Sequence, residues 1–184
     1  WQKYSTQRRE GMLPKLAFFA SDIEELENQL RPAVEDTLID LGIDINSILV
    51  NVGDPKLTTN DQIREFIHLD SPGSEKQFIL LVNKGREGWN CRSLFGVALH
   101  RTPNSRVFVL QATMRCLRSI GDIQETASVY LSEENKQILR DELQQNFRMN
   151  LEEFQNAGSG GIDVTVKLRP PKVKLTLKRV RRLH

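Results

Sequence analysis

The residues best equipped for chemistry lie in one short stretch, Q-A-T-M-R-C-L-R at 111 to 118, set between V-F-V-L and S-I-G-D. Gln111, Arg115 and Arg118 are spaced four and three apart. At roughly 100° per residue, a helix gathers this trio into one narrow stripe. Val107, Leu110, Met114 and Leu117 then form an apolar row beside it. The arginines are expected at the rim of the buried face, where their stems can pack while the guanidinium heads stay polar. That placement suits guanidinium groups that face a cleft or another domain. The competing reading is a solvated helix face making ordinary ion pairs.

A second polar cluster, V-N-K-G-R-E-G-W-N at 82 to 90, follows an apolar run. Lys84 and Arg86 are suited to neutralising phosphate, and Glu87 and Asn90 offer acceptors to sugar hydroxyls or to an arginine across a cleft. Gly85 and Gly88 serve a tight turn as readily as a ligand. Trp89 reads as core ahead of a stacking platform.

The elements that must position these residues alternate. K-L-A-F-F-A-S (15 to 21) reads as a buried strand, and Ser21 with Glu24 as a capping box opening a helix that bends near Pro32 and ends at Gly42. I-L-V-N-V-G (48 to 53) is a second strand, and T-T-N-D-Q-I-R-E-F-I begins a second helix. S-P-G-S breaks the chain before the strand at 77 to 83; a fourth strand spans 94 to 100, and Asn104 or Ser105 caps the arginine-bearing helix. E-T-A-S-V-Y-L gives a fifth strand, and Ser132 caps one long helix carrying Ile138, Leu139, Leu143, Phe147, Leu151 and Phe154. Such alternation predicts an α/β fold, a doubly wound and mainly parallel sheet covered on both faces. In such sheets sites form at the carboxyl ends of strands, which directs attention to the loops after 21, 53, 83 and 100.

Composition sets the outer limits. With 39% hydrophobic and 27% charged residues, 184 residues suffice for one soluble globular core. The core domain is expected over 15–156, after a leading segment 1–14. N-A-G-S-G-G then forms a flexible joint into an extended basic segment, the two together spanning 157–184. Residues 164 to 184 hold eight Lys or Arg and no Asp or Glu, so within the net +2 the preceding 163 residues carry −6. No run approaches the roughly 18 uncharged apolar residues of a membrane span, and the opening residues lack a signal peptide's apolar core, so a cytoplasmic location is expected. Cys91 and Cys116 form no CxxC pair and the three histidines have no metal-ligand spacing, so no metal site is expected and both thiols read as reduced and buried.

Glu87-Gly88-Trp89-Asn90 followed by Gln111-Ala112-Thr113-Met114-Arg115-Cys116-Leu117-Arg118 resembles a pair of motifs, E-G-W-D and Q-x-x-G-R-x-x-R, in the second RecA-like domain of superfamily 2 helicases. The likeness extends over about 15 to 150, and the tryptophan with its V-N-K lead-in is similar to the Res subunits of type III restriction enzymes. The resemblance implies a RecA-like fold and ATP with Mg²⁺ held mainly by a first RecA-like domain outside this chain. It makes Arg115 and Arg118 arginine fingers, with Gln111 positioning water or linking nucleotide to the cleft. Glu87, Gly88 and Asn90 would lie on the nucleotide side, and Ser21, Asn83 and Lys84 would touch the nucleic-acid backbone. Asn90 stands where the family usually has Asp, and Met114 where it has Gly.

The partners implied are DNA, with RNA as the other track, the first RecA-like domain, and a nuclease region or modification subunit. No Walker A loop and no Walker B box occur in the sequence, so this chain alone is expected not to hydrolyse ATP. The alternative is a non-catalytic nucleic-acid-binding or assembly module of the same fold, gripping phosphates with its basic tail. A small-molecule enzyme lacks a nucleophile, cofactor loop or metal set.

Overall fold

The computed structural model describes residues 7–54, 58–82, 89–100, 105–117 and 126–156. Five strands are described: β1 (Lys15–Phe19), β2 (Ile48–Asn51), β3 (Phe78–Leu81), β4 (Leu94–Leu99) and β5 (Ser128–Tyr130). They form one sheet in the order β2-β3-β1-β4-β5, with every pair parallel. The RecA-like expectation required such a parallel α/β sheet. Phe19 sits opposite both Leu81 and Leu99, so β1, β3 and β4 make a central trio walled in on each side. Their near-continuous apolar sequences follow from burial on both faces.

Period-two alternation sorts these strands into two cores. On one face Leu16, Phe78 and Leu80 pack with Leu26, Leu30, Val34 and Leu38 from the segment after β1. On the other, Phe19, Ile79, Leu81, Val97 and Leu99 pack with Trp89, Phe108, Val109, Ala112, Leu139 and Leu143. Each fully buried Leu or Phe contributes on the order of 1.5–3 kcal/mol.

The segment after β1 departs from the expected cap. Asp22, one residue beyond Ser21, caps α1 (Ile23–Glu25) by accepting from the Glu25 N–H. The Glu25 carboxylate accepts the Ser21 N–H, so the reciprocal arrangement is displaced by one. The bend foreseen at Pro32 takes the form of a π-type turn, Leu26–Leu30, before α2 (Arg31–Asp40). Proline has no N–H for the carbonyl four residues earlier and its ring crowds that carbonyl, so the turn ahead of it widens. Gly42 ends α2 at φ 67°, with the Ile43 N–H donating to the Leu38 carbonyl and the Gly42 N–H to that of Ile39. Only a left-handed residue closes both bonds.

Thr59 and Gln62 form a reciprocal capping box opening α3 (Asn60–Ile67). The arginine-bearing helix α4 (Arg106–Met114) starts from Ser105 in extended geometry and tightens into a 3-10 turn, Arg115–Leu117. Ser132 caps α5 (Glu133–Phe147) as expected. The single long helix does not persist: Arg148 turns left-handed at φ 54°, and α6 (Leu151–Asn156) restarts with Asn150 and Glu153 capping each other's N–H. Leu151 and Phe154 still reach the second core, because the break redirects the apolar face instead of ending it. Arg106 binds Asp141 and Glu142, tying the start of α4 to α5. Among the described residues no helix is long and apolar enough to cross a membrane. The segment 157–184, with its expected joint and extended stretches, lies outside the described residues.

Candidate functional site

β4 and β5 are parallel neighbours, so α4 must run antiparallel to both to connect them. It starts at the carboxyl edge of the sheet and delivers Arg115 toward the opposite end, where residues 89–93 lead into β4. The parallel-sheet rule had pointed to the carboxyl-edge loops; the geometry of a crossover helix places the arginine away from them.

Residues of α4 sort differently from the expected rows. The buried face consists of Phe108, Val109, Leu110, Ala112 and Thr113, whereas Val107 is 51% and Met114 38% exposed. Small, fully buried Ala112 lets the helix lie close on the sheet, and that choice of contact line turns Val107 and Met114 outward. Gln111 is exposed and Arg115 half-buried, so Arg115 does occupy a rim. With Met114 outward, the absence of glycine before Arg115 brings no side chain into the core. Arg118 lies outside the described residues.

The two sequence clusters meet physically. Arg115 donates from Nη1 to the Trp89 carbonyl at 2.7 Å, joining the arginine motif to E-G-W-N. Trp89 is 9% exposed and its ring lies over Phe66 of α3, with centroids 5.1 Å apart and planes 19° from parallel. Its indole N–H is buried and meets no acceptor among the described residues, so apolar packing, the Phe66 stack included, sets the ring's position. Asn90 is exposed beside it. Glu87, Gly88, Asn83 and Lys84 lie outside the described residues.

Next to this contact sits a cluster that sequence reading passed over. Asp70, in the turn after α3, accepts from the Arg92 N–H at 2.7 Å, the Ser93 N–H at 3.0 Å, the Ser93 hydroxyl at 2.7 Å and the Cys91 thiol at 3.5 Å. Burial alone would raise its carboxyl, but the Ser93 hydroxyl and the two backbone N–H groups hold it below the usual carboxylate range. Cys91 is pushed up to about 12 by burial and by the Asp70 carboxylate, and Cys116 to about 11 by burial. Neither free thiol is poised as a nucleophile. Lys15 is wholly buried, its Nζ donating to the Leu13 carbonyl, and burial lowers its pKa. In sequence, Asp70 sits in L-D-S-P-G-S and reads as turn punctuation; only its distance from position 93 through space gives it a task.

Ser21 is elsewhere, at the carboxyl edge. Glu25 accepts the Ser21 N–H at 2.5 Å and lies 3.0 Å from His100 Nδ1, linking the ends of β1 and β4. Burial works against the Glu25 carboxylate, and hydrogen bonds from Ser21 and His100 outweigh it, leaving the group below its ordinary value. Arg115 and Ser21 are thus not parts of one cluster.

No family model matches the chain, and no curated protein matches it significantly in sequence. Among solved structures it is similar to the C-terminal part of the Fun30 ATPase domain, at 19% identity and a TM-score of 0.45, covering 68% of this chain and 39% of that one. It is also similar to the C-terminal domain of S. cerevisiae Dbp5 bound to Gle1 and IP6, at 14% identity and a TM-score of 0.48, covering 82% of this chain and 84% of that one. The chain therefore spans well under half of the Fun30 structure. The architecture itself rests on the strand order and register given above.

Proposed function

We propose that this chain is the second motor domain of an ATP-dependent superfamily 2 DNA helicase or translocase similar to a type III restriction Res subunit. The observation that carries the reading is the 2.7 Å bond from Arg115 to the Trp89 carbonyl, which unites the two motifs that bear the resemblance.

ATP and Mg²⁺ would be held mainly by a first RecA-like domain, and the donor set here fits that division: arginines and no phosphate-cradling loop. Bound there, ATP supplies the phosphoryl group that is transferred to water. Arg115 and Arg118 stabilise the charge that develops on it, and Gln111 orients at the rim. Glu87, Gly88 and Asn90 would approach the nucleotide, while Asn83, Lys84 and Ser21, the last at the carboxyl edge, would meet the nucleic-acid backbone. The basic segment 164 to 184 adds sequence-independent affinity for DNA or RNA.

The test uses the polypeptide carrying both motor domains. Arg118→Ala should lower DNA-stimulated ATP turnover by roughly 10³-fold or more while leaving thermal stability and DNA affinity nearly unchanged. Unchanged turnover overturns the reading.

A non-catalytic nucleic-acid-binding module is the second reading, favoured by the engagement of Arg115 on a carbonyl of its own chain and by Asn90 in place of Asp. Under it, truncation after Asn156 removes most binding. The log–log salt slope of the intact chain should be about −0.9 per phosphate neutralised on duplex DNA.

A further inference from the structure

The contact between Arg115 and Trp89 raises a question of its own: what holds the carbonyl still? Residues 89 to 93 belong to no helix or strand. Irregular backbone keeps its place only through external partners, and a long arginine side chain carries about 2 kcal/mol of rotamer entropy that a wandering acceptor would not recover. The Lys15 N–H donates to the Ser93 carbonyl at 2.8 Å and Arg92 pairs with Glu10, which anchors the β4 side of the segment; two further partners come from the end of α3. Phe66 stacks on the Trp89 indole, and Asp70 clamps the backbone N–H groups of Arg92 and Ser93. Between them Leu69 is buried in the second core, and at its other end α3 is fixed by the capping box of Thr59.

We propose that Phe66 and Asp70, neither of which bonds Arg115, are positioning residues that set the direction of its guanidinium by fixing the Trp89 carbonyl. The proposal rests on the motor-domain reading for its functional consequence, though not for its geometry. A displacement of about 1 Å in a positioned group can cost on the order of 10²-fold in rate, so α3 becomes a lever on an arginine carried by α4. The stack matters beyond packing because the indole has no hydrogen bond among the described residues to orient it. Asp70 matters beyond stability because its acceptors are spent on three of the four residues that connect Trp89 to β4.

The geometric half is tested on the 184-residue chain by nitrogen-15 NMR of arginine side chains, with Arg115 assigned by its loss in Arg115→Lys. In the parent chain the Arg115 Nη signals should be separate and slow to exchange. In Phe66→Leu they should merge as rotation frees, and Phe66→Tyr, which keeps the ring, should restore them. Trp1→Phe leaves Trp89 as the one tryptophan, and its emission should shift to the red in Phe66→Leu. Should Phe66→Leu fail to fold, Asp70→Asn carries the same comparison, since it keeps the shape and weakens the acceptor. Arg115 signals that stay separate in a folded Phe66→Leu or Asp70→Asn overturn the proposal.

The functional half uses the polypeptide with both motor domains. Phe66→Leu should lower kcat by roughly 10- to 100-fold with KM for ATP within about twofold. Added to Arg115→Ala, it should cause no further loss of kcat, whereas a merely structural residue would give a multiplied loss. A multiplied loss, or an unchanged kcat in Phe66→Leu while Arg115→Ala is impaired, sinks the positioning role and leaves the motor reading standing. An unimpaired Arg115→Ala sinks the motor reading, and the NMR result then still decides the geometry.

Discussion

The two ends of the sheet are built on opposite plans. At the carboxyl edge Ser21, Glu25 and His100 join the strands through side chains of which the imidazole is 42% and the carboxylate 20% exposed. At the amino end Asp70 gathers Arg92, Ser93 and Cys91, beside buried Lys15, and Arg115 rests on the Trp89 carbonyl. One end is a latch that water can share, and the other is a clamp made largely to the backbone. The imidazole–carboxylate bond of the first is exposed and four of the five bonds of the second are part-buried, so displacement costs less at the latch than at the clamp. Precise placement of a guanidinium therefore belongs to the amino end, whereas the parallel-sheet rule favours loops at the carboxyl edge.

The contrast can be broken most forcefully at the arginines. Under the proposed motor-domain reading, Arg115→Ala in the polypeptide carrying both motor domains should reduce ATP turnover by about 10³-fold, while His100→Ala should change it by less than about threefold. Equal losses would erase the distinction between the ends. Next in size is Asp70→Ala, expected to destabilise the chain by about 2–3 kcal/mol in urea unfolding, since several buried donors lose a charged acceptor. Gly42→Ala, on the other face of the amino end, should cost about 1 kcal/mol through left-handed strain alone, because nothing lies within 4 Å of where its methyl would sit. Smallest is Glu25→Gln, which should cost less than about 1 kcal/mol and lose even that in high salt.

Acid sharpens the same comparison. Asp70 is held below its ordinary value in the folded chain and returns to about 3.9 when unfolded, so the unfolded state binds the extra proton first. Its contribution is complete above about pH 4 and is lost as pH falls through the folded value. Melting temperature should accordingly drop on the acid side, and Asp70→Asn should show a shallower acid limb than the parent chain. Glu25, also held low, should give a smaller change of the same sign.

Much of the fold was legible because burial on two faces writes itself into the sequence. K-L-A-F-F, F-I-L-L and L-F-G-V-A-L are apolar runs of strand length and became the central strands. Ser132 and Gly42 carry local chemistry that caps or ends a helix wherever it occurs, so they too stood where expected, and the helix begun by T-T-N-D is capped by Thr59. The long helix was misread at Arg148, because a left-handed arginine followed by an Asn150 cap leaves the spacing of Leu151 and Phe154 almost undisturbed. The apolar row of α4 was misread for a related reason. Periodicity gives the width of a buried face, but its bearing depends on which residue is small enough to meet the sheet, here Ala112.

By itself the sequence determined the alternation of elements, their caps and the two polar clusters at 82 to 90 and 111 to 118, since these depend on neighbours within a few positions. Only the tertiary structure decided that Arg115 reaches Trp89 across 26 positions and that Asp70 secures residue 93 from 23 positions away. Bonds of that kind form when a parallel sheet folds its crossovers back on themselves, and no local pattern encodes which side chain will be waiting there.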